Sequence, residues 1–290
     1  DGDFYITKEE KQMIEKVREN FENIIVVLNI GGVIDTLWCK EDEQIGAVLN
    51  MWQGGMEGAQ AAAEILLGLA NPCGKLVDTF AKDINSYPSG PGYHESVEYV
   101  EYIEDIYVGY RYFETIPGAK GEVCYPFGFG LSYTKFDIET LEVIESEDKV
   151  KFQVKVTNTG DVIGKEVVQI YYSAPQGLLG KPVKELGAFA KTKELQSGES
   201  CVLSLEINKF ALASYDDLGK VQKAAWVLEM GIYKFFVGNS VESGEYADYQ
   251  MNLSDNIILE QLSTKCAPSV LKKRMLSDGS FEELAQSPCN

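Results

Sequence analysis

The sequence predicts an α/β layer built on a parallel sheet, followed by an all-β antiparallel sandwich. Three observations carry that reading. A helical apolar period opens the chain and runs straight into an unbroken β-branched stretch. Strand-like and helix-like stretches then alternate with short connections, and from about Phe136 the period changes to two and stays there.

Residues 7–22 read as an amphipathic helix. Thr7 with Glu10 three residues later forms a capping box, and Met13, Val17 and Phe21 share one face. The next residues, Ile24-Ile25-Val26-Val27-Leu28, are continuously apolar, which predicts a strand buried on both faces. A second apolar run, Ala47 to Trp52, precedes Gln53-Gly54-Gly55, and Met56 to Leu67 has helical composition. Gly68 is the predicted stop and Asn71-Pro72 a breaker. Leu76 to Phe80 reads as a further strand, and residues 85–98 hold only a loop. The aromatic-rich stretch Tyr99 to Phe113 and the segment Tyr125-Pro126-Phe127-Gly128-Phe129-Gly130 close this half.

In the second half, Val150, Phe152, Val154 and Val156 alternate with polar residues before the turn Asn158-Thr159-Gly160-Asp161. Val167 to Tyr172, then Cys201, Leu203, Leu205 and Ile207, then Tyr233, Phe235 and Val237 continue the pattern. Repeated short period-two strands between turns predict an antiparallel sandwich. From about Ile257 the reading changes to a tail with helical pieces at Ser269 to Leu276 and Phe281 to Ala285. The expected domains are residues 1–133, 134–253 and a tail or linker over 254–290.

The net charge is −19, which disfavours nucleic acid and anionic membrane surfaces and suits a neutral substrate or simple solubility. No run of apolar residues reaches membrane-spanning length. The six cysteines are scattered, without zinc or disulfide-scaffold spacing, so reduced thiols and a cytoplasmic location are expected, with no metal and no cofactor. The start at Asp1-Gly2-Asp3, without Met or a signal peptide, reads as a processed chain or a piece of a longer one.

Trp52-Gln53-Gly54-Gly55-Met56-Glu57-Gly58 falls where a parallel strand hands over to a helix, the place where α/β folds seat ligands. Trp52 offers a surface for a sugar ring, and Glu57 stands at the helix start. The competing reading is a tight turn with Glu57 facing the positive end of the helix. Dinucleotide and phosphate-loop spacings are missing, which disfavours a nucleotide function. Glu101, Glu104 and Asp105 near Arg111 read as ion pairing rather than a catalytic set, and His94, the single histidine, as a solvated loop residue.

Several ordered motifs carry a resemblance. Val26 to Asp35, Trp52 to Gly58, Asn71 to Leu76, Glu104 to Phe113 and Tyr125 to Tyr133 resemble glycoside hydrolase family 3, in the second half of its α/β sandwich domain. Val156-Thr157-Asn158-Thr159-Gly160 with Val167 to Tyr171 resembles the fibronectin-III-like domain of the same family. The resemblance implies a retaining exo-glycosidase of β-glucosidase type, acting on terminal β-linked glucose. Retention needs two carboxyl groups about 5–5.5 Å apart. In the family the nucleophilic Asp lies on a separate barrel, and the acid/base Glu lies shortly before the segment matching Gly2 to Thr7. Neither matches a residue here, so no catalytic residue is assigned. Trp52 and Glu57 become cleft-lining, substrate-binding candidates, and Arg111 a structural residue. Lys272 to Glu282 resembles the linker of members with permuted domain order, which implies a barrel after Asn290.

The expected partners are therefore a barrel-bearing chain or segment of the same enzyme and a β-glucoside or oligosaccharide. A partial sandwich should also leave an apolar face for such a partner. The alternative is a non-catalytic sugar-binding or adhesive module that uses the β-sandwich.

Overall fold

Capping and apolar periodicity set the first layer. In the computed structural model, which describes residues 4–92, 95–265 and 272–284, helix α1 (Lys8–Asn20) starts at the expected capping box. The Thr7 hydroxyl accepts from the Glu10 amide at 3.2 Å, and the Glu10 carboxylate accepts from the Thr7 amide at 2.7 Å. Strands β1 (Ile24–Leu28) and β2 (Ile45–Asn50) pair in parallel, with the short helix α2 (Leu37–Lys40) between them in sequence. Helix α3 (Gly58–Leu66) follows β2. It stops where predicted, because Gly68 adopts φ +70° and lets its own amide reach Ile65 O while Leu69 N reaches Glu64 O. That pair of bonds is a Schellman motif.

The expectation that β1 is buried on both faces does not hold in this chain. Its burial alternates, with Ile25 and Val27 exposed, because the parallel sheet has two strands among the described residues. Helix α1 has no buried residue, and the apolar side chains of Met13 and of Phe21 at its C-cap face outward. An uncovered apolar surface is therefore present in the first layer.

The strand read over Leu76 to Phe80 is also shorter than expected. Only β3 (Phe80–Ala81) forms, and it pairs antiparallel with β4 (Val123–Tyr125), which follows helix α4 (Tyr110–Thr115). Leu76 is held instead by two backbone bonds of 2.8 Å to Gly128 and Phe129, so the segment is tied to a loop rather than a ladder. Under α4, Tyr107, Phe113, Ile116 and Ala119 pack with Ala81 into a small core.

The second half is a sandwich, as its period-two runs predict. Strands β5 (Phe136–Glu145), β6 (Lys149–Asn158), β7 (Val167–Ser173), β8 (Glu185–Lys191), β9 (Ser200–Asn208), β10 (Ser214–Asp216), β11 (Ala225–Leu228), β12 (Gly231–Gly238), β13 (Gly244–Leu253) and β14 (Ile257–Gln261) supply three sheets. Their orders are β5-β6-β9, β13-β12-β7-β8 and β10-β11-β14. The inward residues of β6, Val150 to Val156, meet Ile170, Tyr233, Phe235 and Val237 from the facing sheet. Strand β7 is buried on both faces for a different reason. Its outer residue Tyr171, with Phe236 and Val241, packs against Tyr110 and Phe127 of the first half. The Tyr110 and Phe127 rings stack at 4.5 Å. Ion pairs Lys75–Glu166 at 2.9 Å and Arg111–Glu185 at 3.2 Å tie the two halves at the same junction.

The helical pieces expected near the C-terminus are strands. β15 (Lys273–Met275) and β16 (Phe281–Glu283) form a hairpin whose turn uses Asp278 and Gly279, a strong turn pair. Residues 269–271 and 285 of those expected helices lie outside the described residues. The hairpin packs back on both halves: Met275 enters the α4 core, and Arg274 bridges Asp217 of the second half at 2.9 and 2.6 Å and Asp105 of the first at 2.9 Å.

Candidate functional site

The carboxyl ends of β1 and β2 converge on the loop singled out in the sequence. Asn50 ends β2, and its side-chain oxygen accepts from the Trp52 amide at 3.2 Å, which turns the chain sharply out of the sheet. Trp52 takes φ +51°, an uncommon conformation for an aromatic residue, and its ring lies 6.1 Å from Phe80. The chain then doubles onto the start of α3. A Cβ on Gly54 would lie 2.7 Å from the Gly58 Cα, so only glycine permits that closeness. From the β1 side, Gly31 packs under the Gln53 amide, where a Cβ would come within 2.9 Å of its Nε2.

Glu57 occupies the N-cap position of α3 but makes no side-chain capping bond, and it is exposed. Glu57 stands at the positive end of α3 without a capping bond, a position that suits the tight-turn reading and the cleft-lining one alike. Among the described residues no ion pair holds its carboxylate. The sequence reading missed one polar group here. Asn50 Nδ2 is buried and has no hydrogen-bond partner, an unusual state for an amide. The signal was available, since an Asn ends an otherwise apolar strand run.

The other acidic candidates do not come together. Glu104 accepts from the Ser89 amide and hydroxyl, Asp105 pairs with Arg274, and Arg111 pairs with Glu185. Burial raises the Glu185 carboxyl above its usual range, although the Arg111 guanidinium opposes that shift. His94 lies outside the described residues.

The buried carboxylates are committed to structure. Asp216 accepts four backbone amides, from Gly219, Lys220, Val221 and Gln222, at 2.7 to 3.1 Å. Glu229 accepts from Leu178 and Leu179 and pairs with the buried Lys181. Glu166 accepts from Val167 and Asn239 and pairs with Lys75. Among the described residues no group of three His, Cys, Asp or Glu side chains is placed to hold a metal ion. No helix among them is long and apolar enough to cross a membrane.

Comparison with known proteins accounts for this combination of elements. Residues 1–133 match the glycosyl hydrolase family 3 C-terminal domain, and residues 166–241 match the fibronectin type III-like domain. The chain belongs to glycoside hydrolase family 3. Among curated members of the family, β-glucosidase A of Butyrivibrio fibrisolvens is 56% identical over 99% of this chain and 36% of its own length. A β-glucosidase of Ruminococcus albus is 43% identical over 95% of this chain and 28% of its own. The crystal structure of a β-glucosidase from Paenibacillus barengoltzii superposes with a TM-score of 0.91 at 42% identity, covering 99% of this chain and 33% of that one. The chain thus spans about a third of the length of these relatives.

Proposed function

We propose that this chain is the accessory part of a retaining, exo-acting β-glucosidase that releases terminal β-linked glucose. The catalytic carboxylates are contributed by a barrel-bearing segment or chain of the same enzyme. The observation that carries the reading is the state of the buried carboxylates. Among the described residues, Glu166, Asp216 and Glu229 are saturated by structural donors, whereas retaining hydrolysis needs two free groups facing one sugar. Family membership and the open apolar face of β1 and α1 support the same division of labour.

In this reading the strand-end loop lines the cleft against the barrel. The Trp52 ring offers a face to the glucosyl unit, Glu57 offers an acceptor for its hydroxyls, and the unpartnered Asn50 amide awaits an acceptor from the bound sugar or the barrel. The test is to assay a chromogenic β-glucoside with the 290-residue chain, with the barrel-bearing part, and with both together. Turnover only in the mixture, or in the full-length polypeptide, is expected. Turnover by this chain alone, abolished by changing one of its own acids, would overturn the proposal.

A further inference from the structure

The sheet β10-β11-β14 carries a row of side chains that the strand-end loop does not use. Tyr215 stands directly opposite Trp226, and Trp226 directly opposite Glu260, so one position on each strand brings together a phenol, an indole and a carboxylate. Cross-strand partners share a face of the sheet. That face is the outer one: Ala225 and Val227, the neighbours of Trp226 along β11, are buried, whereas Trp226 is half-buried, Tyr215 is partly exposed and Glu260 is exposed. Phe210, from the turn Lys209–Leu212, rests on the same indole. Its ring centroid lies 5.5 Å from that of Trp226, and the Tyr215 ring lies 5.4 Å away, each tilted by about half a right angle.

The polar atoms in this row are free. Among the described residues, neither the Trp226 indole N–H, the Tyr215 hydroxyl nor the Glu260 carboxylate bonds to a protein group. The indole is at the centre of the row and the carboxylate is on the edge strand β14, so an aromatic surface and a free acceptor stand side by side. A pyranose suits both features. Its C–H face lies on an aromatic ring, and its hydroxyls donate to a carboxylate and accept from an indole N–H. The net charge of −19 disfavours a polyanionic ligand.

We propose that Phe210, Tyr215, Trp226 and Glu260 form a binding site for a neutral oligosaccharide, separate from the catalytic cleft. Trp226 is the central platform, Phe210 and Tyr215 extend it along the sugar chain, and Glu260 fixes orientation through hydroxyl pairs. The site goes beyond the proposed hydrolytic role, because it holds glucan without acting on it.

Affinity electrophoresis of the full-length enzyme in soluble mixed-linkage β-glucan tests the assignment. Trp226→Ala should weaken glucan binding by about tenfold, as for loss of one aromatic anchor. Tyr215→Ala and Glu260→Gln, both at exposed positions, should weaken it severalfold with near-ultraviolet circular dichroism unchanged. All three should hydrolyse a small chromogenic β-glucoside at the wild-type rate, which separates this site from the cleft. A wild-type enzyme that the glucan does not retard, or Tyr215→Ala and Glu260→Gln variants retarded as strongly as wild type, would overturn the proposal.

Discussion

The substitution Ile25→Lys tests whether the open face of β1 is an interface. Ile25 is 52% exposed in this chain, so about half of its side chain remains to be covered. Full burial of an Ile side chain is worth about 1.5–3 kcal/mol, which leaves about 1 kcal/mol to be gained when a partner layer closes over it. A lysine at this position would forfeit that gain and place an ammonium group in an apolar layer. The penalty is several kcal/mol if the charge stays buried and less if the long stem carries it to water. A combined loss of about 3 kcal/mol, roughly a hundredfold in the docking equilibrium, is the expected result in the full-length enzyme. In the 290-residue chain by itself the position is open, and exposed substitutions usually change stability by less than about 0.5 kcal/mol. Differential scanning calorimetry of both polypeptides, with and without the substitution, reads the contrast directly. Equal destabilisation in the two contexts would refute the reasoning, because the cost would then arise within this chain rather than at a face that something else covers.

Two further outcomes follow from the packing. Arg274→Met removes the clamp on Asp217 and Asp105 and leaves the two acids facing each other across the vacated site. A loss of about 2 kcal/mol in docking of the β15–β16 hairpin is expected, detected as faster limited proteolysis near residues 272–284 with the sandwich intact. Burial raises the Cys39 thiol to about 11, with the neighbouring Cys124 adding to the shift, so at about pH 8 it stays protonated. Iodoacetamide at that pH should therefore spare Cys39 in the native chain and label it only after denaturation, which peptide mass mapping checks.

How much of this was legible in the sequence depended on whether the deciding contacts were local. The capping box at Thr7 and Glu10, the stop at Gly68 and the alternation of Val150 to Val156 are short-range signals, and each produced the element it predicts. The β15–β16 hairpin was also written locally, in Asp278-Gly279, but Ser269 to Leu276 has enough helical composition to hide it. Its docking through Arg274 onto residues 57 and 169 positions earlier in the chain left no local trace. The strand at β1 shows the opposite failure. Ile24 to Leu28 has the composition of a strand covered on both sides, and here one side is bare. The composition is not misleading if it is matched to a larger assembly: a sequence carries the burial its residues experience when every layer is present. The same logic applies at Asn50. A buried amide without a partner is costly by itself, and in the proposed enzyme an acceptor from the barrel or the sugar would relieve that cost at the end of β2. The uncovered apolar strand and the unsatisfied amide lie on the same two-stranded sheet, and a single docking event, bringing a second layer and a sugar to its open face and strand ends, would satisfy both.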